Sequence, residues 1–550
     1  MYACPGCGGG LKFDIESQQL KCDYCSNVYD PYSIVKEEDA ALTDRFGASV
    51  FVCPNCGAEI ISSADTAAAF CSYCGESTIL SGNMREEKRP AKIIPFKLTK
   101  TACKDIYAKA VKGALFAPKS FLDPSFLDKM TGIYMPYWLY DVKMKDTMTV
   151  NSTRDHRSGD YILHEHYKFT ADNDLTYEGI QYDAASNFAD AISDSIAPFH
   201  MKDAVDFTPS YLSGFFADVQ DVGSGTYTEK AGDLASVETY DRMKALIKAS
   251  DLKGYGDLSD TGIRANVAST RSSLALLPVW FLTWRRGDRV SYAVINGETG
   301  QMSLDLPVDI RKYLIFTAIL TVPLYFLLET FLSMRASSGL LAVIVIALLS
   351  LAIYYGCVKE IKARENHEKD LGYNARQADL RRAAAEAAYE EEKAKDPARA
   401  KKRSRYAGPL PNQKKKKAKK KSGKRETILL TAVIIVIAIF TALIVEGYSN
   451  ANKFTIPAAI GSVFALLVVL FDDEGSFLKR LKDVLFLPLI TFIGCMVAFL
   501  DLHSDLWYYS LSVLTLVMTC LLFISLIRKY NLLATRPMPY FKRTGGDDRA

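Results

Sequence analysis

No phosphate-cradling G-x4-G-K-[ST] loop, H-E-x-x-H helix, G-x-S-x-G elbow or Rossmann glycine pattern occurs in this chain of 550 residues. The common nucleotide, metalloprotease, hydrolase and dinucleotide chemistries therefore have no visible seat. Histidine is scarce, with six residues. The close pair His164 and His166, beside Asp155 and His156, would share one face of a strand but has no defined third ligand. No catalytic site and no enzymatic activity are expected. Lysine and arginine are absent from residues 46–84, which carry Glu59, Asp65 and Glu76. Residues 1–35 set Lys12 and Lys21 against Asp14, Glu16, Asp23 and Asp30. A duplex-binding face needs cations against phosphate, so electrostatics oppose nucleic acid as the partner of this region. No secretory apolar segment precedes the first cysteine, which argues against an oxidising compartment and a disulfide framework.

Cysteine is what the N-terminus does have. Eight of twelve cysteines form two copies of one spacing, Cys4-x2-Cys7-x14-Cys22-x2-Cys25 and Cys53-x2-Cys56-x14-Cys71-x2-Cys74. Each C-x2-C turn delivers two thiolates from one tight loop, and two such turns close a tetrahedral site, so two zinc ions are expected. Iron in the same thiolate cages stays open, because ligand type alone does not separate the two metals. Glycine follows three of the four turns, at Gly8, Gly57 and Gly75; only the Cys22–Cys25 turn is followed by a serine, Ser26. Leu11–Ile15 and Ile60–Ser62 look like short strands, so the units at 1–35 and 50–82 are predicted to be zinc ribbons, small β modules that the metal holds together. A redox C-x2-C would sit between a strand and a helix, a context these hairpins lack.

The second half is apolar. Six stretches stand out, 313–334, 340–358, 428–445, 454–471, 484–500 and 506–527, and all but the first, which holds Glu329, are free of charge. Their lengths match the roughly twenty helical residues that cross a bilayer, which predicts an all-α region of six transmembrane helices, two at 313–358 and four at 427–527. The intervening segment 359–426 has 23 Lys and Arg against 11 acids, including Lys414, Lys415, Lys416, Lys417, Lys419, Lys420 and Lys421. It is expected to face the cytoplasm of a bacterial cell, together with the N-terminus and the tail at 528–550. The lysine run suits anionic lipid head groups, at about 1 kcal/mol per basic residue, or serves only to fix topology. Residues 375–395, rich in Ala, Glu, Arg and Lys, should be helical. Glu329 and Asp501 lie near span ends, which disfavours an ion-coupled carrier.

Between ribbons and membrane, residues 86–310 are predicted to form an α+β domain. Strands are expected at 141–150 and 290–294, the latter turning through Asn296-Gly297-Glu298-Thr299-Gly300 and returning at 301–304, with helices at 100–116 and 236–250. This domain has the marks of an internal duplication. Ile133-Tyr134-Met135-Pro136-Tyr137-Trp138-Leu139 and Ala275-Leu276-Leu277-Pro278-Val279-Trp280-Phe281 share a hydrophobic-Pro-x-Trp-hydrophobic pattern. Each proline is expected to open an edge strand and each tryptophan to anchor the core.

The tandem cysteine units, Ile93-Ile94-Pro95-Phe96-Lys97, Gly132 through Asp141, and Leu277-Pro278-Val279-Trp280-Phe281 resemble bacterial TFIIB-type zinc-ribbon-containing proteins, some of which continue into membrane helices. The resemblance covers about residues 1–305 and implies zinc binding and membrane attachment without an assigned reaction. The expected whole is an integral cell-membrane scaffold that docks a protein partner through its ribbons and α+β domain. Alternatives are a regulatory component of a transporter or channel, and a membrane-tethered nucleic-acid-associated factor.

Overall fold

The computed structural model describes residues 2–34, 45–55, 58–61, 68–71, 73–74, 77–79, 81–249, 267–286, 289–331, 336–365, 367, 369–395, 458, 461–462, 486–500, 504–534 and 536–537. Near the N-terminus, β1 (Leu11–Asp14) and β2 (Gln19–Cys22) form an antiparallel hairpin that β3 (Val28–Tyr29) extends to three strands. Leu11, Phe13 and Leu20 point inward and Lys12 outward, as the two-residue period of a half-buried strand requires. A single turn of helix, α1 (Pro31–Ile34), follows.

The second cysteine unit is built differently. Its hairpin β6 (Ala68–Phe70) and β7 (Ser77–Ile79) stands alone, but β4 (Arg45–Val52), β5 (Glu59–Ile61) and β8 (Ser81–Lys88) belong to the large sheet of the following domain. That twelve-stranded sheet continues through β9 (Lys92–Ile93), β10 (Thr131–Ser158), β11 (Tyr161–Asp183), β12 (Val205–Asp206), β13 (Phe216–Asp218), β14 (Val267–Arg286), β15 (Arg289–Asn296) and β16 (Met302–Leu304). Helix α2 (Lys100–Gly113) starts where Thr99 Oγ1 accepts from Ala102 N at 3.3 Å, and it buries Cys103, Tyr107 and Val111 along one stripe. The remaining helices here are α3 (Pro124–Leu127), α4 (Asp190–Ile196) and α5 (Thr228–Ala249).

Pairing within the sheet sets the two repeated segments in matching places. The units β9-α2-β10-β11 and β13-α5-β14-β15 have the same order and interlock: β9 runs parallel to β14 of the other unit, and β13 parallel to β10. Their central strands β10 and β14 pair antiparallel along 131–144 and 267–281. Pro136 and Pro278 thus lie in central strands, not at the start of edge strands as expected. Each sits where its strand changes neighbour: β10 leaves β13 after Tyr134 and takes up β11 at Tyr137, while β14 leaves β9 after Leu276 and takes up β15 at Val279. The proline carbonyls face that changeover, accepting from Ala184 N and Gly297 N at 2.8 Å each. In an extended strand the missing N–H points the same way, into the gap between neighbours, so no ladder bond is lost. Both indoles donate to a backbone carbonyl, Trp138 Nε1 to Val222 O at 2.8 Å and Trp280 Nε1 to Leu98 O at 3.0 Å.

The apolar half gives α6 (Ile310–Phe331), α7 (Ala336–Glu365), α8 (Leu371–Lys395), α9 (Phe486–Leu500) and α10 (Asp505–Ala534), with β17 (Arg536–Pro537) pairing with β15. Two helices, Ala336–Arg364 and Asp505–Leu532, are long and apolar enough to span a membrane; in the second, 17% of the most apolar stretch is buried, where a core helix would be mostly covered. The expected six-helix region reduces, among the described residues, to these two. Of stretch 484–500, the described residues 486–500 form α9 and account for about 22 Å of a hydrocarbon core of about 30 Å. Stretch 428–445 and nearly all of 454–471 lie outside the described residues.

The sheet has two ends. At one, β17 meets Arg289 and Val290, and Asn531 of α10 exchanges two hydrogen bonds with Val308, at 2.7 and 2.8 Å. From the other, the hairpin β10–β11 runs past its last contact with β14 at Met144 to a tip at Ser158–Tyr161, a reach of roughly 45 Å at 3.3 Å per residue.

Candidate metal centres

The first centre joins two turns. Cys4 and Cys7 leave the loop before β1, Cys22 ends β2 and Cys25 follows it, and the four Sγ atoms lie within 4.8 Å of one another. Cys4–Cys25 and Cys7–Cys22 are each separated by 3.5 Å, close to the edge of about 3.8 Å that four sulfurs 2.3 Å from one ion would make. The turns are alike: Gly8 N bonds Cys4 O at 2.8 Å and Ser26 N bonds Cys22 O at 3.0 Å. Tyr29 OH lies 3.5 Å from Cys4 Sγ. That hydroxyl, with amides of the turn, holds the Cys4 thiol down to about 6. The Asn27 amide favours the Cys25 thiolate, but burial and three neighbouring sulfurs push it to about 12. Four thiols so close share charge unequally until a cation neutralises it, which is the chemistry of a metal donor set.

Ser26 is the departure seen in the sequence, and it adopts φ +58°, the left-handed conformation that Gly8 takes at φ +76°. A side chain there costs about 1 kcal/mol. Ser26→Gly is expected to slow metal loss from this centre to a chelator; an unchanged rate would show that the turn is unstrained.

The second centre is inside the domain. Cys53, Cys71 and Cys74 are buried with their Sγ atoms mutually within 4.8 Å, and Cys53 and Cys74 are 3.8 Å apart. Cys56, the expected fourth ligand, lies outside the described residues. Asn55 Nδ2 donates to Cys74 Sγ at 3.5 Å, and Cys53 N bonds Ala58 O at 2.8 Å to close the turn. Tyr73, between the last two cysteines, fixes the unit to the sheet: its hydroxyl donates to buried Asp218 on β13, and its carbonyl accepts from Tyr292 OH on β15 at 2.8 Å. Burial pushes Asp218 up to about 7, with Asp221 adding to the rise and the Tyr73 hydroxyl opposing it. Spacing gave no sign of these contacts, because the partners stand far along the chain.

The other sequence candidates are dispersed. His164 Nδ1 lies 2.7 Å from Asp155 on the exposed hairpin, and neither His164 nor His166 joins a metal-ligating group among the described residues. Cys103 is a packing residue whose thiol burial pushes to about 12. Lys414, Lys415, Lys416, Lys417, Lys419, Lys420 and Lys421 lie outside the described residues. A third group that the sequence did not suggest brings His200, Asp203 and Glu298 together. Both of its carboxylates already pair with an ammonium, Lys97 Nζ, 2.7 Å from Asp203 and 3.2 Å from Glu298, so a metal there would have to compete with a resident cation.

No family model matches the chain, and no solved structure matches it. A curated protein does: the uncharacterized protein YdjG of Bacillus subtilis (strain 168) is 30% identical over 322 residues, which cover 56% of this chain and 91% of YdjG. With that identity over nearly the whole of the relative, the chain belongs to the same family as YdjG.

Proposed function

We propose that the chain is a membrane-anchored zinc scaffold of the TFIIB-type zinc-ribbon kind, which docks a protein partner on the cytoplasmic face of a bacterial membrane. The observation that carries it is the division of labour along one sheet. One end is tied to apolar helices through Val308, Asn531 and β17, and the other projects a two-stranded arm with exposed Tyr161, Ile162 and Leu163 at its tip. Cys4, Cys7, Cys22 and Cys25 would hold one zinc ion, and Cys53, Cys71, Cys74 and Cys56 the other, with zinc favoured by four-thiolate tetrahedra in reducing surroundings. Zinc there is structural, since four protein ligands leave no open position for chemistry. With α6 and α9 counted beside the two long helices, the stretches 428–445 and 454–471 would complete six spans, with the basic 359–426 loop inside and its lysines against anionic lipid.

The test is crosslinked capture with the full chain from detergent extract. A stoichiometric protein is expected, lost on Tyr161→Ser, Ile162→Ser and Leu163→Ser together while zinc content stays at two ions. Capture that survives the triple change would remove the arm from the proposal. Salt-sensitive retention on DNA would favour the nucleic-acid alternative instead.

A further inference from the structure

The duplication pairs two residues that differ in one atom type. Asn296 follows Pro278 across the β14–β15 changeover as Asp183 follows Pro136 across β10–β11: Val279 pairs with Asn296 and Tyr137 with Asp183. Asn296 is fully satisfied. Its Nδ2 donates to Ile196 O and Pro198 O, at 2.9 and 3.3 Å, and its Oδ1 accepts from Glu298 N and Thr299 N, at 2.8 and 3.0 Å. Asp183 is 2% exposed and its Oδ2 has no partner among the described residues. Around it stand two more buried carboxyls. Asp190, on α4, accepts from Tyr227 OH at 2.7 Å and from Leu371 N at 3.0 Å; Asp370 caps α8 by accepting from Tyr373 N at 2.9 Å.

Leu371 and Asp370 begin α8, directly after the apolar helix α7. The junction is held close: a Cβ on Gly372 would sit 2.6 Å from Tyr227 OH, and Arg376 reaches Asp221 at 3.4 Å. Burial first, then the charges of Asp190 and Asp370, push Asp183 well above the usual carboxylate range. Burial likewise raises Asp190, with Asp370 adding to it and Tyr227 and Lys230 opposing. The other titratable or charged groups facing the cluster are Tyr137 on β10, Asp194 on α4, Lys230 on α5 and His367 beside Asp370. The fixed cations nearby are Lys230, which lies 3.5 Å from Asp194, Arg376 on Asp221, and Lys369 next to Asp370 in the chain.

We propose that Asp183, Asp190 and Asp370 form a proton-operated latch that keeps the α7–α8 junction on the soluble domain while Asp183 is protonated and frees it when that proton is lost. As a neutral carboxyl, Asp183 is the near-isostere of Asn296. On ionisation one proton goes to water, and a buried charge remains near two other carboxyl groups, opposed only by Ser193 and the Asp183 amide and with Oδ2 unpartnered among the described residues. The sign follows from linkage. A carboxyl whose value in the docked state is raised binds more protons there, so docking is complete below the ordinary carboxylate range and is lost as pH rises through the raised value. The device couples cytoplasmic pH to the contact between an apolar helix and the sheet, and it is independent of metal.

Hydrogen exchange at Leu371–Asn374 in the full chain, held in lipid nanodiscs between pH 5.5 and 9, tests it. After correction for intrinsic exchange, protection is expected to fall with rising pH, by up to tenfold per pH unit for one proton. Asp183→Asn should hold protection at its low-pH level across the range. Asp370→Asn, which keeps the helix cap, should shrink the pH response. A flat profile in the unaltered chain, an undiminished response in both variants, or low protection at every pH in Asp183→Asn would each overturn the latch.

Discussion

Replacing Cys53 and Cys56 together by serine is expected to remove one of two bound metal ions and to unfold the α+β domain as a whole, whereas Cys4→Ser with Cys7→Ser removes the other ion and lowers that domain's stability without unfolding its large sheet. A structural four-thiolate zinc contributes about 10–16 kcal/mol of apparent binding free energy, as much as the 5–15 kcal/mol that holds a typical domain together. Where that energy is lodged decides the outcome. Cys53, Cys71, Cys74 and Tyr73 share one core cluster with Ile133, Met135, Leu277, Val279 and Phe281 on the central strands. Opening the second centre also frees Tyr73, whose hydroxyl satisfies buried Asp218. The first centre closes a three-stranded sheet that pairs with no strand of the large one, so although Cys4 and Cys22 share the other core cluster with Ile93, Tyr134 and Trp280, opening it removes packing but no strand from the large sheet. Metal analysis with tryptophan emission, to which Trp138, Trp280 and Trp284 of the sheet contribute, separates the cases. Loss of one ion on the second pair with emission unchanged would show that the sheet does not depend on its metal.

That difference was invisible in the spacing. The two cysteine units share every interval, so the sequence pattern identifies donors but not what surrounds them; embedding depends on β5 finding β13 and Tyr73 finding Tyr292, across stretches with no local signature. The repeated Pro-x-Trp pattern was likewise legible as a repeat, while the placing of its prolines was not. A proline's cost in a strand depends on the edge its missing N–H faces, and the neighbours that change at Pro136 and Pro278 come from other parts of the chain. The helices expected at 100–116, 236–250 and 375–395 stand at Lys100–Gly113, Thr228–Ala249 and Leu371–Lys395, legible because helical bonds and stripes are local. The apolar runs at 313–334, 340–358, 484–500 and 506–527 marked helices as well, for the same reason.

Asn296→Ala should destabilise the soluble domain by about 3–5 kcal/mol, since it deletes bonds worth about 1 kcal/mol each and strands buried partners at about 1–3 kcal/mol each. Those partners are the carbonyls of Ile196 and Pro198 and the amides of Glu298 and Thr299, and the residue itself is wholly buried. The turn it organises carries Gly297, whose amide bonds Pro278 at the strand changeover, so the loss reaches the central sheet. A fall in the midpoint of thermal unfolding of roughly 10 °C, followed by tryptophan emission, is the corresponding size for a domain of this length. Asn296→Asp discriminates further. It makes this repeat resemble the one containing Asp183, placing a carboxyl where the backbone supplies two acceptors as well as two donors. As a neutral acid it can still donate one bond; as an anion it faces the carbonyls of Ile196 and Pro198. Its value in the folded chain must then be raised, so the variant should be near its best at low pH and lose stability as pH rises. A midpoint that responds to pH no more than that of the unaltered chain would mean that water reaches position 296, and that the buried amide does not organise the turn as its hydrogen bonds indicate.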